Sequence, residues 1–526
     1  MLDSNLLSTT EYIKAKRVRS NLLLFCMIAS LIVILGTSAL LFFMDPNITV
    51  SEIFAFALAV FAIITIPVII WNYPRFGLYF LIVAAIIFAE PATTTLATVP
   101  TSLIKLWINI STIGQMHGTN ALKPLSFSPA EIVMILTTLA WLIRSISDRT
   151  FKFRPGAFIW PILIYLSFVL WGYVHGLTTG GDRVMALYEV RAQVYLLLAT
   201  ILGANLITEV KHVKAVLWSL LIGSGILSVF GTITYFVVGT AASDQSLLAH
   251  DDTLFFVRLV LLTFIVMMIN VDKKMRAWAI FFLPFAIISI IGNQRRASIA
   301  AFIIAFIPLL PLLWVNFKDN RKQIGVFLVV FAVLSAIYLP VAWNAKGAWA
   351  LPARAIRSQS DPNARDESSD FYRMAESADL RYTRDTNPWL GYGYGKEFIE
   401  VVPLVRLTTS FLDYLPHNGV LWVWMRLGNF GFLAFIMIIV FVLIRGPQLL
   451  SSVSDPYLKT IGILAILDIL MIYIYGKYDL QITNPRQMFI LSIQLGILSA
   501  LPYISNNQSS FNSEKSGLNV GKETKK

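Results

Sequence analysis

The chain has very little cysteine and little charge, and both shortages exclude whole classes of protein. Its single cysteine, Cys26, excludes an intrachain disulfide and a CxxC metal or redox site. Only 14% of the 526 residues are charged, whereas 57% are hydrophobic and the mean hydropathy is +0.70. Soluble domains carry about 25% charged residues. The composition therefore predicts a membrane protein.

Long apolar runs account for this composition. Residues 22–44 and 324–343 are long enough to cross a hydrocarbon core of about 30 Å. Backbone polar groups in lipid must be satisfied within their own segment, so these runs are predicted to be helices. The predicted fold is an all-α, polytopic membrane bundle of about fourteen transmembrane helices. They are expected near 21–44, 51–72, 76–97, 129–147, 156–177, 189–207, 214–239, 254–271, 277–292, 297–316, 324–344, 417–444, 459–476 and 487–504.

The few charges are unevenly placed. Lys and Arg outnumber Asp and Glu by 42 to 30, an excess that could indicate a nucleic-acid partner. Most of the cations lie in alternate connections between spans, as the positive-inside rule expects, so topology explains the excess and no nucleic acid is expected. Those connections and both termini are predicted to be cytoplasmic. The predicted regions are a cytoplasmic segment (1–20), a bundle of about eleven spans (21–344), a large extracytoplasmic loop (345–416), C-terminal spans (417–504) and a disordered cytoplasmic tail (505–526).

Some arginines lie on the predicted outer side, where cations should be scarce. Arginine grips phosphate with two donors at once, whereas lysine offers a point charge, so one interpretation is an anion site. The alternatives are ion pairs, with Glu189 for Arg191 and with Asp251 or Asp252 for Arg258, or side chains that reach the membrane interface. The candidates for the anion site are Arg191, Arg258, Arg295 and Arg296, whereas the arginines of the outer loop, Arg373 among them, are predicted mainly to pair with carboxylates of the same loop.

The outer loop contains two local patterns. Residues 370–384 have apolar positions at 371, 374, 375 and 378, which predicts a helical face that either lies on the membrane or caps a cavity. The segment NPWLGYGYGKEF (387–398) follows, and Gly391, Gly393 and Gly395 permit backbone angles that side chains forbid. It is not a nucleotide loop, because no strand precedes it and it lacks G-K-[ST].

A histidine stands where the loop meets the next span, in PHNGVLWVWMRLGNFGF (416–432). An unperturbed imidazole titrates near pH 6.5, which suits proton transfer. Asp413 lies one helical turn before His417 and is predicted to orient the ring if the helix starts early. The alternative is a histidine that hydrogen-bonds at the membrane interface. His250 is interpreted as a loop histidine, and no clustered ligands predict a metal site.

These patterns occur in an order that resembles the superfamily of O-antigen ligases and polysaccharide repeat-unit polymerases. Members carry N-P-x-x-G-x-G, then H-N, then a helix with G-x-x-G, matched here by NPWLGYGYG, PHN and GNFG. The RRAS segment before the span at 297–316 is similar to the superfamily's arginine–small–small element. The arginine is doubled here, so which of Arg295 and Arg296 faces the site is open. The resemblance covers about residues 185–445.

The resemblance implies a metal-independent glycosyltransferase of cell-surface polysaccharide synthesis in the bacterial cytoplasmic membrane, without a cofactor. Such enzymes take an undecaprenyl-diphosphate-linked oligosaccharide on the outer leaflet and transfer its glycan to an acceptor sugar hydroxyl. His417 is then the expected base, with Asn418 positioning it or the sugar. Asp413, Gly391 and Gly393 support the site. Arginines 191, 258, 295, 296 and 373 are expected to bind the diphosphate.

The superfamily leaves several functions open. The span count and the long loop favour a repeat-unit polymerase, for which a flippase and a chain-length regulator are expected partners. A ligase acting on lipid A–core is the alternative, followed by a protein O-glycosyltransferase. A solute transporter is the alternative from a different class, but it should have polar or broken helices in mid-membrane. Here the polar residues gather at the outer mouth, which favours the enzyme.

Overall fold

The computed structural model describes residues 64–88, 106–110, 127–149, 151–238, 248–269, 271–345, 347–358, 361–362, 364–404 and 413–523. The predicted segment 1–20 and the span at 21–44, with Cys26, lie outside these residues. The spans predicted at 51–72 and 76–97 lie inside them only in part.

The described residues form helices and no strands. Residues 64–72 are helical, and two 3-10 turns cover Lys318–Asn320 and Ala348–Ala350. The helices that follow residue 73 are α1 (Pro74–Ile87), α2 (Pro129–Ser147), α3 (Ile159–Thr178), α4 (Arg183–Leu206), α5 (Val210–Val238), α6 (Asp252–Met268), α7 (Lys273–Asn293), α8 (Arg296–Asn316), α9 (Arg321–Ala342), α10 (Leu351–Arg357), α11 (Ala364–Thr386), α12 (Gly419–Ser451), α13 (Pro456–Gly476) and α14 (Pro485–Glu523).

The chain is a multi-pass, all-α membrane protein. Within the described ranges, ten helices are long and apolar enough to cross a bilayer. The span predicted at 254–271 corresponds to α6, which has 17 residues and is buried along nearly its whole length. The ten candidates with α6 account for the eleven spans predicted after residue 128. The total of about fourteen stays a prediction.

The chain divides into two compact units. The first comprises residues 1–81 and 109–152, and the second comprises residues 82–108 and 153–526. In the first unit Ser128 and Glu131 form a capping box that starts α2, and Arg144 donates hydrogen bonds to the carbonyls of Trp71 and Asn72. The second unit contains every residue that the sequence assigned to the site.

Small residues allow α4 and α14 of the second unit to approach closely. A Cβ atom at Gly203 would lie 2.6 Å from the carbonyl oxygen of Ile493, and one at Gly496 would lie 2.3 Å from that of Thr200. The Thr200 hydroxyl donates to the carbonyl of Ser492 at 3.1 Å. Membrane helices lack a hydrophobic drive to associate, so close backbone approach and such hydrogen bonds stabilise the pair.

The end of the chain differs from its prediction. Helix α14 continues to Glu523, whereas residues 505–526 were predicted to be a disordered tail. The physical reason is that propagation of an existing helix costs much less than its nucleation. Residues 505–516 contain neither Gly nor Pro to stop it.

The glycine-rich turn at 391–395 packs against α3 and α12 and against Asp182, the N-cap of α4. Gly391, Gly393 and Gly395 have φ angles of +86°, +85° and +76°, so the predicted special backbone angles are confirmed. Two backbone N–H groups of the turn donate hydrogen bonds to these helices. Tyr392 donates to the carbonyl of Met425 at 2.8 Å, and Tyr394 donates to the carbonyl of Gly172 at 3.0 Å. These bonds fix residues 391–395 against α3 and α12.

Helix α12 is broken where the turn meets it. Gly428 has φ +66° and ψ −171°, which is not helical. The break frees backbone groups near Met425 and Arg426, whose carbonyls accept the N–H groups of Tyr392 and Gly393. An irregular backbone within a membrane span is tolerated here because the neighbouring turn satisfies its hydrogen bonds.

The turn makes a testable prediction about stability. In Gly393→Ala the new Cβ would lie 2.7 Å from the backbone of Gly176 and would strain a positive φ. We expect a loss of roughly 2–5 kcal/mol in the free energy of unfolding, measured as a lower melting temperature in detergent. Gly180→Ala is the matched control, since Gly180 also has a positive φ of +93° but a Cβ added there would meet no heavy atom within 4 Å. Equal losses in both variants would contradict the close approach.

Candidate functional site

His417 is held by a buried carboxylate from the outer loop. Its Nδ1 lies 3.1 Å from Oε1 of Glu376, and its backbone N–H donates to Oε2 of the same group at 2.9 Å. The Glu376 side chain is fully buried, whereas 24% of the His417 side chain is exposed. Because an ionised carboxylate only accepts hydrogen bonds, this contact favours the tautomer that carries the proton on Nδ1 and the lone pair on Nε2.

The carboxylate that holds His417 is Glu376, not the predicted Asp413. Helix α12 begins only at Gly419, after both residues, so no helical turn joins Asp413 to His417. The Asp413 carbonyl instead accepts the N–H of Phe398 at 3.1 Å. Asn418 is the N-cap of α12, and its side-chain oxygen accepts the N–H of Leu421 at 3.0 Å. This cap fixes the entry of the chain into α12 directly beside His417.

Glu376 belongs to a polar face of α11 that points into the protein. Asp379 accepts the N–H groups of Val401 and Val402 at 2.8 and 2.7 Å, and the Thr383 hydroxyl accepts that of Ile399 at 2.8 Å. Two of the apolar positions in the predicted helical face, Phe371 and Met374, are 68% and 66% exposed. The helix was predicted correctly, but it buries mainly its polar side.

Three of the predicted arginines gather in one cavity. Arg295, Arg296 and Arg373 line a space of about 610 Å³, together with Lys477 at the end of α13. Arg295 is the N-cap of α8 and Arg296 is its first residue. The partial positive charge of a helix N-terminus adds to these cations. The arrangement can bind an anion with more than one negative charge.

Carboxylates of α11 occupy part of this cationic cavity. Arg296 donates two hydrogen bonds to Asp370, Nη2 to Oδ1 at 2.7 Å and Nη1 to Oδ2 at 3.2 Å. Its Nε lies 3.5 Å from Oδ1 of Asp366, and Arg373 lies 3.8 Å from Asp370. The prediction that loop arginines pair with loop carboxylates is confirmed for Arg373.

An apolar cavity of about 420 Å³ adjoins the cationic one. It lies among α6, α7, α8, α9 and α10, with Phe264, Phe302 and Phe331 in its lining. Ile299, Ile303 and Ile356 line both cavities. A ligand with an anionic head and a hydrocarbon tail fits this pairing of a charged and an apolar space.

Arg258 and Arg191 line neither of these two cavities. The Arg258 guanidinium is 1% exposed, and its Nε donates to both oxygens of Asp468 at 2.9 and 2.7 Å. It therefore pairs with a distant residue of α13 rather than with Asp251 or Asp252. Those two carboxylates instead bind Arg486 of α14 at 2.9 and 2.7 Å.

Glu189, the expected partner of Arg191, binds Arg426 instead. Its Oε1 lies 2.6 Å from Arg426 Nη2, and both side chains are fully buried. Glu189 Oε2 accepts the N–H of Gly395 at 2.5 Å, and Arg426 donates to the carbonyl of Gly393 at 3.0 Å. A buried ion pair needs such extra hydrogen bonds to offset its desolvation. The pair joins α4, α12 and the glycine-rich turn.

His250 lies within electrostatic range of both the arginine cavity and His417. Its Nδ1 is 3.7 Å from Asp479, which follows α13. Desolvation, and then the charge of Arg295, lower the pKa of His250 to about 4, against the opposing charges of Asp479 and Asp251. His250 is therefore neutral at pH 7, and it adds hydrogen-bonding capacity rather than charge to this side of the molecule.

The sequence did not identify Glu376, Asp370 or Lys477 as site residues. Glu376 is separated from His417 by 41 residues, so no local spacing connects them. One signal was available. Glu376 follows Arg373 by three positions within a predicted helix, a spacing that places two side chains on one face.

Comparison with known proteins matches part of the chain to a protein family. No curated protein matches the chain significantly. Residues 279–436 match the model of a protein family described as O-antigen ligase. The matched range includes Arg295, Arg296, Arg373, Glu376 and His417, and it ends within α12. The chain is therefore a multi-pass membrane protein whose residues 279–436 are similar to the O-antigen ligase family.

Proposed function

We propose that the chain transfers a glycan from a polyprenyl-diphosphate-linked donor to an acceptor sugar hydroxyl, without a metal or other cofactor. The domain match indicates polysaccharide synthesis by a membrane glycosyltransferase in general. The observation that carries the finer proposal is the pair of adjoining cavities, one cationic and one apolar. A prenyl diphosphate combines these two chemistries in one molecule.

The cationic cavity would act on the leaving group. As the bond between the anomeric carbon and the diphosphate oxygen breaks, its electron pair goes to the diphosphate. Arg295, Arg296 and Arg373, with the α8 N-terminus, are fixed donors for that growing negative charge. Donors that are already oriented stabilise a transition state because they need no reorganisation during the reaction.

His417 would act on the acceptor. The acceptor oxygen forms a bond to the anomeric carbon and loses its proton to Nε2 of the imidazole. Glu376 holds Nδ1 and so leaves Nε2 as the proton acceptor. The imidazolium formed in this step is stabilised by the buried carboxylate, as in other carboxylate-oriented histidines.

Both halves of this chemistry are tied to α11. Arg373 lines the cationic cavity and Glu376 holds His417, and the two residues are one helical turn apart on α11. Tyr372 packs edge-on against the His417 ring, with 5.6 Å between the ring centroids. Arg258, paired with Asp468, and Asn418, which caps α12, are better explained by structural roles.

The acceptor distinguishes two candidate functions. A repeat-unit polymerase is favoured by the predicted span count and the long outer segment. A ligase is favoured by the description of the matched family. We propose the polymerase first, in the bacterial cytoplasmic membrane with the site on the outer face and both termini in the cytoplasm. Purified protein given a lipid-linked repeat unit should make longer chains. Transfer only to lipid A–core would identify a ligase.

Replacement of His417 tests the proposed base. His417→Ala should reduce glycan transfer at least about 100-fold, because general base catalysis contributes at least this factor. The assay is transfer of a labelled lipid-linked oligosaccharide by purified protein. His175→Ala is the matched control, since the His175 ring stacks on Trp171 of its own helix, α3. Full activity of His417→Ala, in protein with an unchanged melting temperature, would remove this residue from the mechanism.

Replacement of Glu376 separates orientation from general folding. Glu376→Gln should lower kcat by about 10- to 100-fold with little change in KM, since the ring loses its negatively charged partner. Asp413→Asn should leave both constants unchanged, because Glu376 rather than Asp413 holds the ring. The reverse result, with Asp413→Asn impaired and Glu376→Gln active, would restore the partner predicted from the sequence.

Replacement of Arg296 by lysine tests the diphosphate contact. Lysine keeps the charge but loses the two-donor geometry, so Arg296→Lys should lose nearly as much activity as Arg296→Ala. Arg445→Lys is the control, because Arg445 bonds Gln448 near the opposite end of α12 from His417. Wild-type activity in Arg296→Lys would contradict a bidentate role for this residue.

A further inference from the structure

The cationic cavity faces a problem of selectivity that its arginines alone do not solve. An anionic head group and a hydrocarbon tail also describe the anionic phospholipids of a bilayer. A permanently open arginine cavity beside an apolar one would bind these abundant lipids. In the structure two carboxylates of α11 line this cavity and already bind one of its arginines.

Asp370 binds the guanidinium of Arg296, which is the group that would bind a phosphate. It accepts both Nη groups of Arg296, at 2.7 and 3.2 Å, which is the two-donor geometry that guanidinium uses for phosphate. A ligand that binds Arg296 in this way must displace Asp370. The Asp370 side chain is 48% exposed, so it can return to water at small cost when it is displaced.

The charges of the cavity match a dianion. Its four cationic side chains, Arg295, Arg296, Arg373 and Lys477, and its two carboxylates, Asp366 and Asp370, leave a formal charge of +2. A prenyl diphosphate carries about two negative charges as the glycan-linked diester and about three when free, whereas phosphatidylglycerol carries about one. A monoanion that replaces Asp370 merely exchanges one negative charge for another, whereas a diphosphate brings an additional charge and can reach several cations at once.

We propose that Asp370 is a specificity-determining residue, which competes for Arg296 and so excludes monoanionic phospholipids while admitting a prenyl diphosphate. The inference rests on the proposed function, since it takes the donor to be a lipid diphosphate. Asp366, 3.5 Å from the same guanidinium, contributes in the same direction but less.

Binding in bilayers of controlled composition tests this selectivity. The full chain is placed in nanodiscs of phosphatidylcholine with increasing phosphatidylglycerol, and the affinity for undecaprenyl diphosphate is measured in each. Wild-type affinity should change little as phosphatidylglycerol rises. In Asp370→Asn, affinity should be higher than wild type in pure phosphatidylcholine and should fall on the order of tenfold as phosphatidylglycerol competes, the factor that one charge-assisted hydrogen bond supplies.

Three variants serve as controls. Asp385→Asn should behave like the wild type, because Asp385 lies on the same helix but pairs with Arg384. Asp370→Glu keeps a carboxylate and should keep the insensitivity to phosphatidylglycerol. Asp366→Asn should shift in the same direction as Asp370→Asn by a smaller factor, and it provides the test if Asp370→Asn does not fold.

The outcomes separate the selectivity role of Asp370 from the proposed function of the chain. If the wild type binds undecaprenyl diphosphate and Asp370→Asn is equally insensitive to phosphatidylglycerol, the selectivity role is overturned and the proposed function stands. If the wild type binds no undecaprenyl diphosphate even in phosphatidylcholine, the proposed function falls and this inference falls with it.

Discussion

The ionic contacts of one helix, α11, connect the two parts of the site. Its carboxylate Glu376 holds the His417 ring, and its carboxylate Asp370 holds the Arg296 guanidinium at the start of α8. Without α11 the histidine would lose its orienting group and the arginine cavity would lose one wall. The geometry of the candidate site therefore depends on polar contacts made outside the apolar spans.

A fully buried ion pair gives the candidate site a second structural support. Glu189 of α4 and Arg426 of α12 join each other and the glycine-rich turn between residues 391 and 395. Removal of one partner of such a pair leaves an uncompensated charge and typically costs about 3–5 kcal/mol. Helix α12 is broken at Gly428, and the turn packs against this break through Gly391. Rigid support of this kind keeps a site within the small tolerances that catalysis needs.

The fold was largely predictable from the sequence, because apolar length and the need to satisfy backbone groups determine membrane helices. The starts of α8 and α13 fall within three residues of their predictions. Helix α14 extends into the segment predicted as a tail, because composition does not report helix propagation. Periodicity predicted the helix of α11 but left open whether its apolar face is exposed or buried, and the structure exposes Phe371 and Met374.

The site was predictable only in part, and the reason lies in sequence distance. Arginines 295, 296 and 373 do share a cavity, as misplaced charge indicated. Arg258 and Glu189 were assigned neighbours along the chain, but they bind Asp468 and Arg426, more than 200 residues away. Ion pairs in a bundle are chosen by which helices pack together, and a single sequence without its tertiary structure does not contain that information in local spacing.

The most direct measurement of the central claim is the position of the donor's tail. A polyprenyl diphosphate with a photoreactive group in its prenyl chain can be irradiated with the purified protein, and the labelled peptides can be identified by mass spectrometry. If the prenyl tail lies in the apolar cavity, labels are expected on α8 and α9, around Ile303 and Phe331, and inorganic diphosphate should suppress them. Labels confined to α2 and α3, unaffected by diphosphate, would contradict it.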